Sequence, residues 1–225
     1  MQSDVVQPGR FITLEGGEGA GKSTQTGLLV DALARAGLPV LRTREPGGAP
    51  GAERLRELLL NGDLSWSAPA ETLLHFAARA EHAERTIRPA LAAGIWVVCD
   101  RFADSTMVYQ GCGQGADKVA ISALTGMLGL RPDLTLVLDV SVKTSLARLA
   151  MRGAAADRYE RLGADFFARI RAGFQAVAAA DPARCVVIAA EADQDAVAAA
   201  ILATVRSRFA QAQPILAASA LAAAP

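Results

Sequence analysis

Phe11-Ile12-Thr13-Leu14-Glu15-Gly16-Gly17-Glu18-Gly19-Ala20-Gly21-Lys22-Ser23-Thr24 decides the fold. From Gly16 to Ser23 it reads G-x-x-x-x-G-K-S, directly after a short apolar run and directly before a helix-like segment, which is the setting a phosphate-binding loop requires. The glycines open backbone angles that let successive N–H groups converge on one phosphate. The following helix adds its positive N-terminal end, Lys22 a mobile cation and Ser23 a hydroxyl for Mg2+. A plain Gly-rich turn between strand and helix would need neither Lys-Ser nor the strand before it. Lys22 is also one of only three lysines, with Lys118 and Lys143, among 23 basic residues. The stretch Gly16, Gly17, Glu18, Gly19, Ala20, Gly21, Lys22, Ser23 and Thr24 is therefore expected to bind the phosphates of a nucleoside triphosphate.

Working outward, strand-like and helix-like segments alternate. Strands are expected at Phe11–Glu15, Val40–Thr43, Ile95–Asp100, Leu134–Asp139 and Cys185–Ala189. Helices are expected at Lys22–Ala36, Ala52–Leu60, Ala70–Ala93 (interrupted or kinked near Pro89), Lys118–Leu128, Val142–Arg152, Gly163–Ala180 and Gln194–Ala210. Near-continuous apolar strands such as Ile95–Cys99 suit a parallel sheet buried on both faces. The alternation predicts an α/β fold of the phosphate-loop NTPase type, with helices on both sides of a central parallel sheet. One domain is expected over 10–210, preceded by an extension, 1–9, and followed by an uncharged, Ala-rich tail, 211–225, expected to be loosely held.

Composition fits this class. The 225 residues carry 23 acidic and 23 basic side chains, a balance that argues against a nucleic-acid surface. Cys99, Cys112 and Cys185 are odd in number and far apart, fitting neither a disulfide framework nor a zinc site and pointing to a reducing cytoplasm. The N-terminus has no charged-then-apolar leader pattern, and no apolar run reaches membrane-spanning length.

Other groups could carry chemistry. Asp100-Arg101 closes a buried strand, where open α/β sheets place their ligands. Asp100 suits an outer-shell Mg2+ partner and Arg101 a bidentate phosphate grip, with a strand-end salt bridge as the plainer reading. Arg44-Glu45-Pro46-Gly47 ends the second strand in the same way. Asp139 also closes an apolar strand, either as a Walker-B-like acid or as one of many strand-end aspartates. Arg148, Arg152, Arg158 and Arg161 bracket Gly153-Ala154-Ala155-Ala156: a solvated helix face, or a mobile lid at about 148–162 whose arginines close on a transferring phosphoryl. Phosphoryl transfer depends on positioning and charge neutralisation, and with a phosphate loop upstream the lid is favoured. A guanine-reading N-K-x-D motif is absent, which argues against a GTPase switch, and the length leaves no partner-binding region for a motor component.

Taken together, the sequence resembles the thymidylate kinases, nucleoside-monophosphate kinases that phosphorylate dTMP to dTDP using ATP. The matching motifs run from Leu14 to Thr24, then Thr43-Arg44-Glu45-Pro46-Gly47-Gly48, Ala77-Ala78-Arg79, Asp100-Arg101-Phe102, Ser105-Thr106 and Tyr109-Gln110-Gly111. Arg131-Pro132-Asp133-Leu134-Thr135-Leu136 and Asp157-Arg158-Tyr159-Glu160 follow. The resemblance implies Glu18 near the sugar 3′-hydroxyl, Arg79 on the thymine base and Tyr109 against a ribose 2′-hydroxyl. It implies Ser105, Thr106 and Gln110 around the base and sugar, and Arg44 and Arg101 near the acceptor phosphate. Lys22, Arg101, Arg152 and Arg158 would carry catalysis, with Mg2+ held at Ser23 and Asp100. With Gly19 in the phosphate loop and arginines in the lid, the chain resembles the lid-arginine, bacterial type. A homodimer is implied. Three positions depart from the family pattern. His75, with Phe76 beside it, stands where a phenylalanine usually stacks on thymine; Gln114 replaces a basic residue; and 154–156 is all alanine.

Overall fold

The computed structural model describes residues 9–60, 64–152 and 163–210. Five strands form one sheet: β1 Phe11–Glu15, β2 Val40–Arg44, β3 Trp96–Asp100, β4 Leu134–Asp139 and β5 Cys185–Ala189. Their order is β2-β3-β1-β4-β5, and every pairing is parallel. β1 is central, so the loop leaving its carboxyl end opens into the crevice beside β3 where the chain reverses direction across the sheet.

The helices are α1 Lys22–Arg35, α2 Pro50–Leu60, α3 Ala68–His82, α4 Arg88–Ala92, α5 Ala103–Thr106, α6 Lys118–Leu128, α7 Val142–Arg152, α8 Gly163–Ala180 and α9 Gln194–Phe209. Period-two alternation along the strands sorts the core into two layers. Ile12, Leu14, Trp96, Val98, Leu134, Leu136 and Leu138 pack with Leu29 and Leu33 of α1 and Val197, Ile201 and Val205 of α9. On the opposite face, Phe11, Val97 and Cys99 meet Ile87 and Phe102, while Val137 meets Val108, Phe166, Ile170 and Phe174. That second face also carries the buried polar residues Thr13, Glu15 and Thr135.

Two segments differ from expectation. The helix predicted over Ala70–Ala93 begins at Ala68, where Ser67 accepts the Ala70 N–H, and it is not broken at Pro89. A π-helical turn, Ala83–Ile87, precedes α4, and the Arg88 N–H reaches five residues back to the Ala83 carbonyl. This wider turn accommodates a proline ring in mid-helix, which in a regular α-helix would crowd the carbonyl four residues back. The Ser105–Gly111 motifs, to which the sequence assigned no element, lie on α5 and a π-helical stretch, Met107–Gly113. Residues 1–8, the lid segment 153–162 and the tail 211–225 lie outside the described residues.

Candidate active site

The phosphate loop leaves β1 at Gly16, whose φ of 139° and close approach to Leu138 (a Cβ there would sit 2.5 Å from its carbonyl oxygen) admit only glycine. Gly19 has φ 70°, and a Cβ would lie 2.6 Å from the Ser145 carbonyl oxygen. The position that could have carried a loop arginine is thus closed to any side chain. α1 starts directly at Lys22, and the Lys22 Nζ donates to the Gly17 carbonyl at 2.7 Å. Burial, then the charge of Arg101, lowers the Lys22 ammonium to about 8 against the pull of Glu18 and Asp100.

Next to it, the Ser23 hydroxyl donates to Asp100 Oδ2 at 2.5 Å, while the buried Asp100 Oδ1 has no hydrogen-bond partner among the described residues. An adjoining hydroxyl and carboxylate, one oxygen of which still has its lone pairs uncommitted, form a hard-oxygen donor set that fits Mg2+. Asp139 is engaged differently: it takes a bidentate pair from Arg171 of α8 at 2.7 and 2.8 Å.

Arg101 is the hub. It is the only described non-glycine residue with positive φ, 71°, a strained conformation held by its surroundings. Its N–H donates to Leu14 O at 3.0 Å, and its guanidinium reaches Gly16 O, Ser105 Oγ, Glu18 Oε1 (2.5 Å) and the Tyr109 hydroxyl. Burial alone would lower its basicity, but Glu18, then Tyr109 and Asp100, outweigh that and hold it above an ordinary arginine. Tyr109 also donates to Glu18 at 3.0 Å, so Glu18, Arg101 and Tyr109 form one cluster.

Further along, Arg79 of α3 is 2 % exposed. Its Nε donates to Glu45 Oε2 at 2.7 Å, and Nη2 donates to Phe102 O and Thr106 Oγ1. Nη1 is buried and has no partner among the described residues. Glu45 is held in turn by His82, which also meets Thr43 through its other ring nitrogen. One cleft of about 510 Å³ joins these groups. Glu18, Lys22 and Ser23 line one part of it; Arg44, Asp100 and Arg101 line it too, as do His75, Arg79, Ser105, Thr106, Tyr109 and Gln110. Phe76, by contrast, packs its ring under the Arg79 guanidinium, 4.8 Å away. Its position is that of a support for the arginine, whereas His75 faces the cleft.

Sequence reading missed two contributors. Arg56 of α2 lines the cleft and donates to Pro46 O at 2.7 Å, with burial and then Arg44 pressing its basicity down. Nothing in the surrounding Arg54-Leu55-Arg56 sets it apart from a solvated helix arginine. Glu45, the centre of the Arg44-Glu45-Pro46 motif, proves to orient Arg79; its position between a strand end and a proline was the available signal. Gln114, where a cation was expected, donates to Glu71 at 2.9 Å beside Gln110 at 2.8 Å, so the buried carboxylate is met by amides. Arg148 lines the cleft and also donates to Ala190 O, and the side chains of Arg152, Arg158 and Arg161 lie outside the described residues.

A parallel sheet of this order, with a Gly-Lys-Ser loop after its central strand and an Asp-Arg pair closing the neighbouring one, defines a phosphate-loop NTPase fold. The Thymidylate kinase family pattern matches residues 14–201. The chain is 51 % identical over 209 residues to a thymidylate kinase of Chromohalobacter salexigens, covering 90 % of this chain and 98 % of that one. It is 54 % identical over 196 residues to one of Caulobacter vibrioides, covering 86 % and 94 %. The crystal structure of thymidylate kinase from Ehrlichia chaffeensis superposes with a TM-score of 0.73 at 33 % identity, over 88 % of this chain and all of that one. The chain belongs to the thymidylate kinase family.

Proposed function

We propose that this protein transfers the γ-phosphoryl group of ATP to dTMP, giving dTDP and ADP. The observation that carries the reading is the single cleft with a phosphate loop at one part and, at another, a buried guanidinium edge with an uncommitted donor. A pyrimidine carbonyl accepts from such a donor; an exocyclic amino group cannot. His75 offers the flat ring on which the base stacks, and Thr106 and Gln110 flank it. Tyr109 and Glu18 lie where the sugar passes towards Arg101, which with Arg44 grips the acceptor phosphate. Lys22 and the amides of Gly17–Thr24 hold the donor phosphates. Ser23 and Asp100 would hold Mg2+, whose charge offsets that of the β- and γ-phosphates. Arg152 and Arg158, on a lid at about 148–162, supply the charge that Gly19 does not.

The functional unit is a homodimer. α6 buries only Ile121 and exposes Val119 and Met127, and α3 exposes Leu73 on the side away from the cleft, an apolar face that suits a second copy. Among the described residues no helix is long and apolar enough to cross a membrane. With three cysteines unpaired, the protein suits the reducing cytoplasm. Release of ADP measured across a panel of nucleoside monophosphates tests the assignment. dTMP should be turned over in preference to dCMP, dAMP and dGMP, and a site that preferred any of these would sink it.

A further inference from the structure

Directly before the phosphate loop, the Glu15 side chain is fully buried on the sheet face opposite α1 and α9. Among the described residues no cation is ion-paired with it. Its partners are all on the turn after β3: Oε1 accepts the Phe102 N–H at 2.7 Å and the Ser105 N–H at 3.3 Å, and Oε2 accepts the Ser105 hydroxyl at 2.6 Å. Phe102 stands at the N-cap position of α5 but gives it no side-chain cap, so a carboxyl from the neighbouring strand serves the first N–H groups of that helix instead. Ser105 Oγ also receives the Arg101 guanidinium at 3.2 Å. Two hydrogen bonds thus link the strand that launches the phosphate loop, through Ser105, to Arg101 in the cleft.

A buried carboxyl without an ion-pair partner is costly, and Glu15 offsets that cost through its hydrogen bonds to Phe102 and Ser105. Burial, then the nearby charge of Asp104, pushes this one up to about 8, against the Ser105 hydroxyl, Arg101 and the Phe102 N–H. Arg101 needs outside support, since its positive φ does not hold itself.

We infer that Glu15 is a positioning residue: by clamping the Phe102–Ser105 turn to the end of β1, it sets the direction in which Arg101 enters the cleft relative to the phosphate loop. This rests on the kinase reading above. Glu15 touches no substrate and acts only through Arg101.

The test is a double-substitution cycle on ADP release with dTMP, using the parent, Glu15→Gln, Arg101→Ala and the combination. Glu15→Gln keeps the volume and one acceptor but turns an NH2 group toward Ser105. It should lower kcat by roughly tenfold or more, since small misplacements of reacting groups cost up to about 10²-fold. The KM for ATP should stay within about threefold, and on the Arg101→Ala background the same change should cost less than about threefold, because coupled residues are not additive. Parental kcat in Glu15→Gln, or an equal loss on both backgrounds, overturns the inference. If Glu15→Gln does not fold, Ser105→Ala cuts the same link: a loss that vanishes on Arg101→Ala supports the clamp, and no loss, or an equal one, overturns it. If the parent releases no ADP with dTMP, the kinase reading falls by itself. Amide exchange above about pH 8, where Glu15 is ionised, then decides the clamp: the Phe102 amide should exchange faster in Glu15→Gln, a neutral acceptor holding it less firmly than a charged one, and unchanged exchange overturns it.

Discussion

Lys22 shows how burial sets the working range of a single side chain. Its ammonium is lowered from 10.5 to about 8 by burial and by Arg101. Between these values the unfolded chain binds more protons than the folded one, so this residue makes stability rise with pH across that window. Ligand binding runs the opposite way. Donor phosphates favour the charged form, so a proton is taken up on binding once the free protein has begun to lose it. ATP affinity is therefore expected to fall as pH rises through about 8, by at most about tenfold per pH unit. Titration calorimetry from about pH 7 to about pH 10 checks this, with Lys22→Arg flattening the slope because arginine keeps its proton. His75 offers a second test at this scale. The ring lines the cleft while Phe76 is committed to Arg79. His75→Ala should weaken dTMP binding by roughly 1–3 kcal/mol, and His75→Phe should leave it unchanged or tighter. Unchanged dTMP affinity in the alanine variant would remove the base platform from His75.

At the scale of elements, strands and phosphate loop were legible because their signals are local. Short, mostly apolar stretches mark β1, β3, β4 and β5, Gly37 and Pro39 set off β2 after the first helix, and Gly16–Ser23 carries its own chemistry in order. What stayed hidden was either geometry that only a tertiary neighbour enforces or contact between distant residues. The π-helical turns at Ala83–Ile87 and Met107–Gly113 have no periodic signature, and the second carries Tyr109 and Gln110, which line the cleft. Glu15 and its partner Ser105 stand 90 positions apart, and Arg79 and Glu45 stand 34 apart, so no window along the chain contains either pair. The lid belongs to this scale too. α7 runs to Arg152 and α8 resumes at Gly163, and Arg148 already lines the cleft from α7. If Arg158 comes from this connection to the transferring phosphoryl, Arg158→Ala should lower kcat by roughly 10³–10⁵ while changing the KM for dTMP little, the mark of a contact made in the transition state. Arg161→Ala is the control and should stay within a few-fold. Steady-state kinetics that show both variants near the parent would return the segment to a plain solvated helix face.

In the whole molecule, α3 joins two surfaces. Its inward stripe, including Glu71, His75, Arg79 and His82, is buried against the site, whereas Leu73 on its outer side is 57 % exposed. α6 packs beside α3 and likewise exposes Val119 and Met127, which are 78 % and 77 % exposed. Apolar side chains grouped on adjoining helices suit a protein contact, where their burial contributes roughly 25 cal/mol per Å². A second copy on this face would hold α3 from behind, and so hold Arg79 and His75 at the depth the base requires. If a second copy covers this face, Met127→Glu places a charge there that it would have to bury. Sedimentation should then show a shift from dimer to monomer. Because α3 carries base-reading side chains and α1 the donor lysine, the KM for dTMP should rise several-fold more than the KM for ATP. A variant that stays dimeric would place the subunit contact elsewhere. A monomer with parental KM for dTMP would show that α3 needs no support from its outer side.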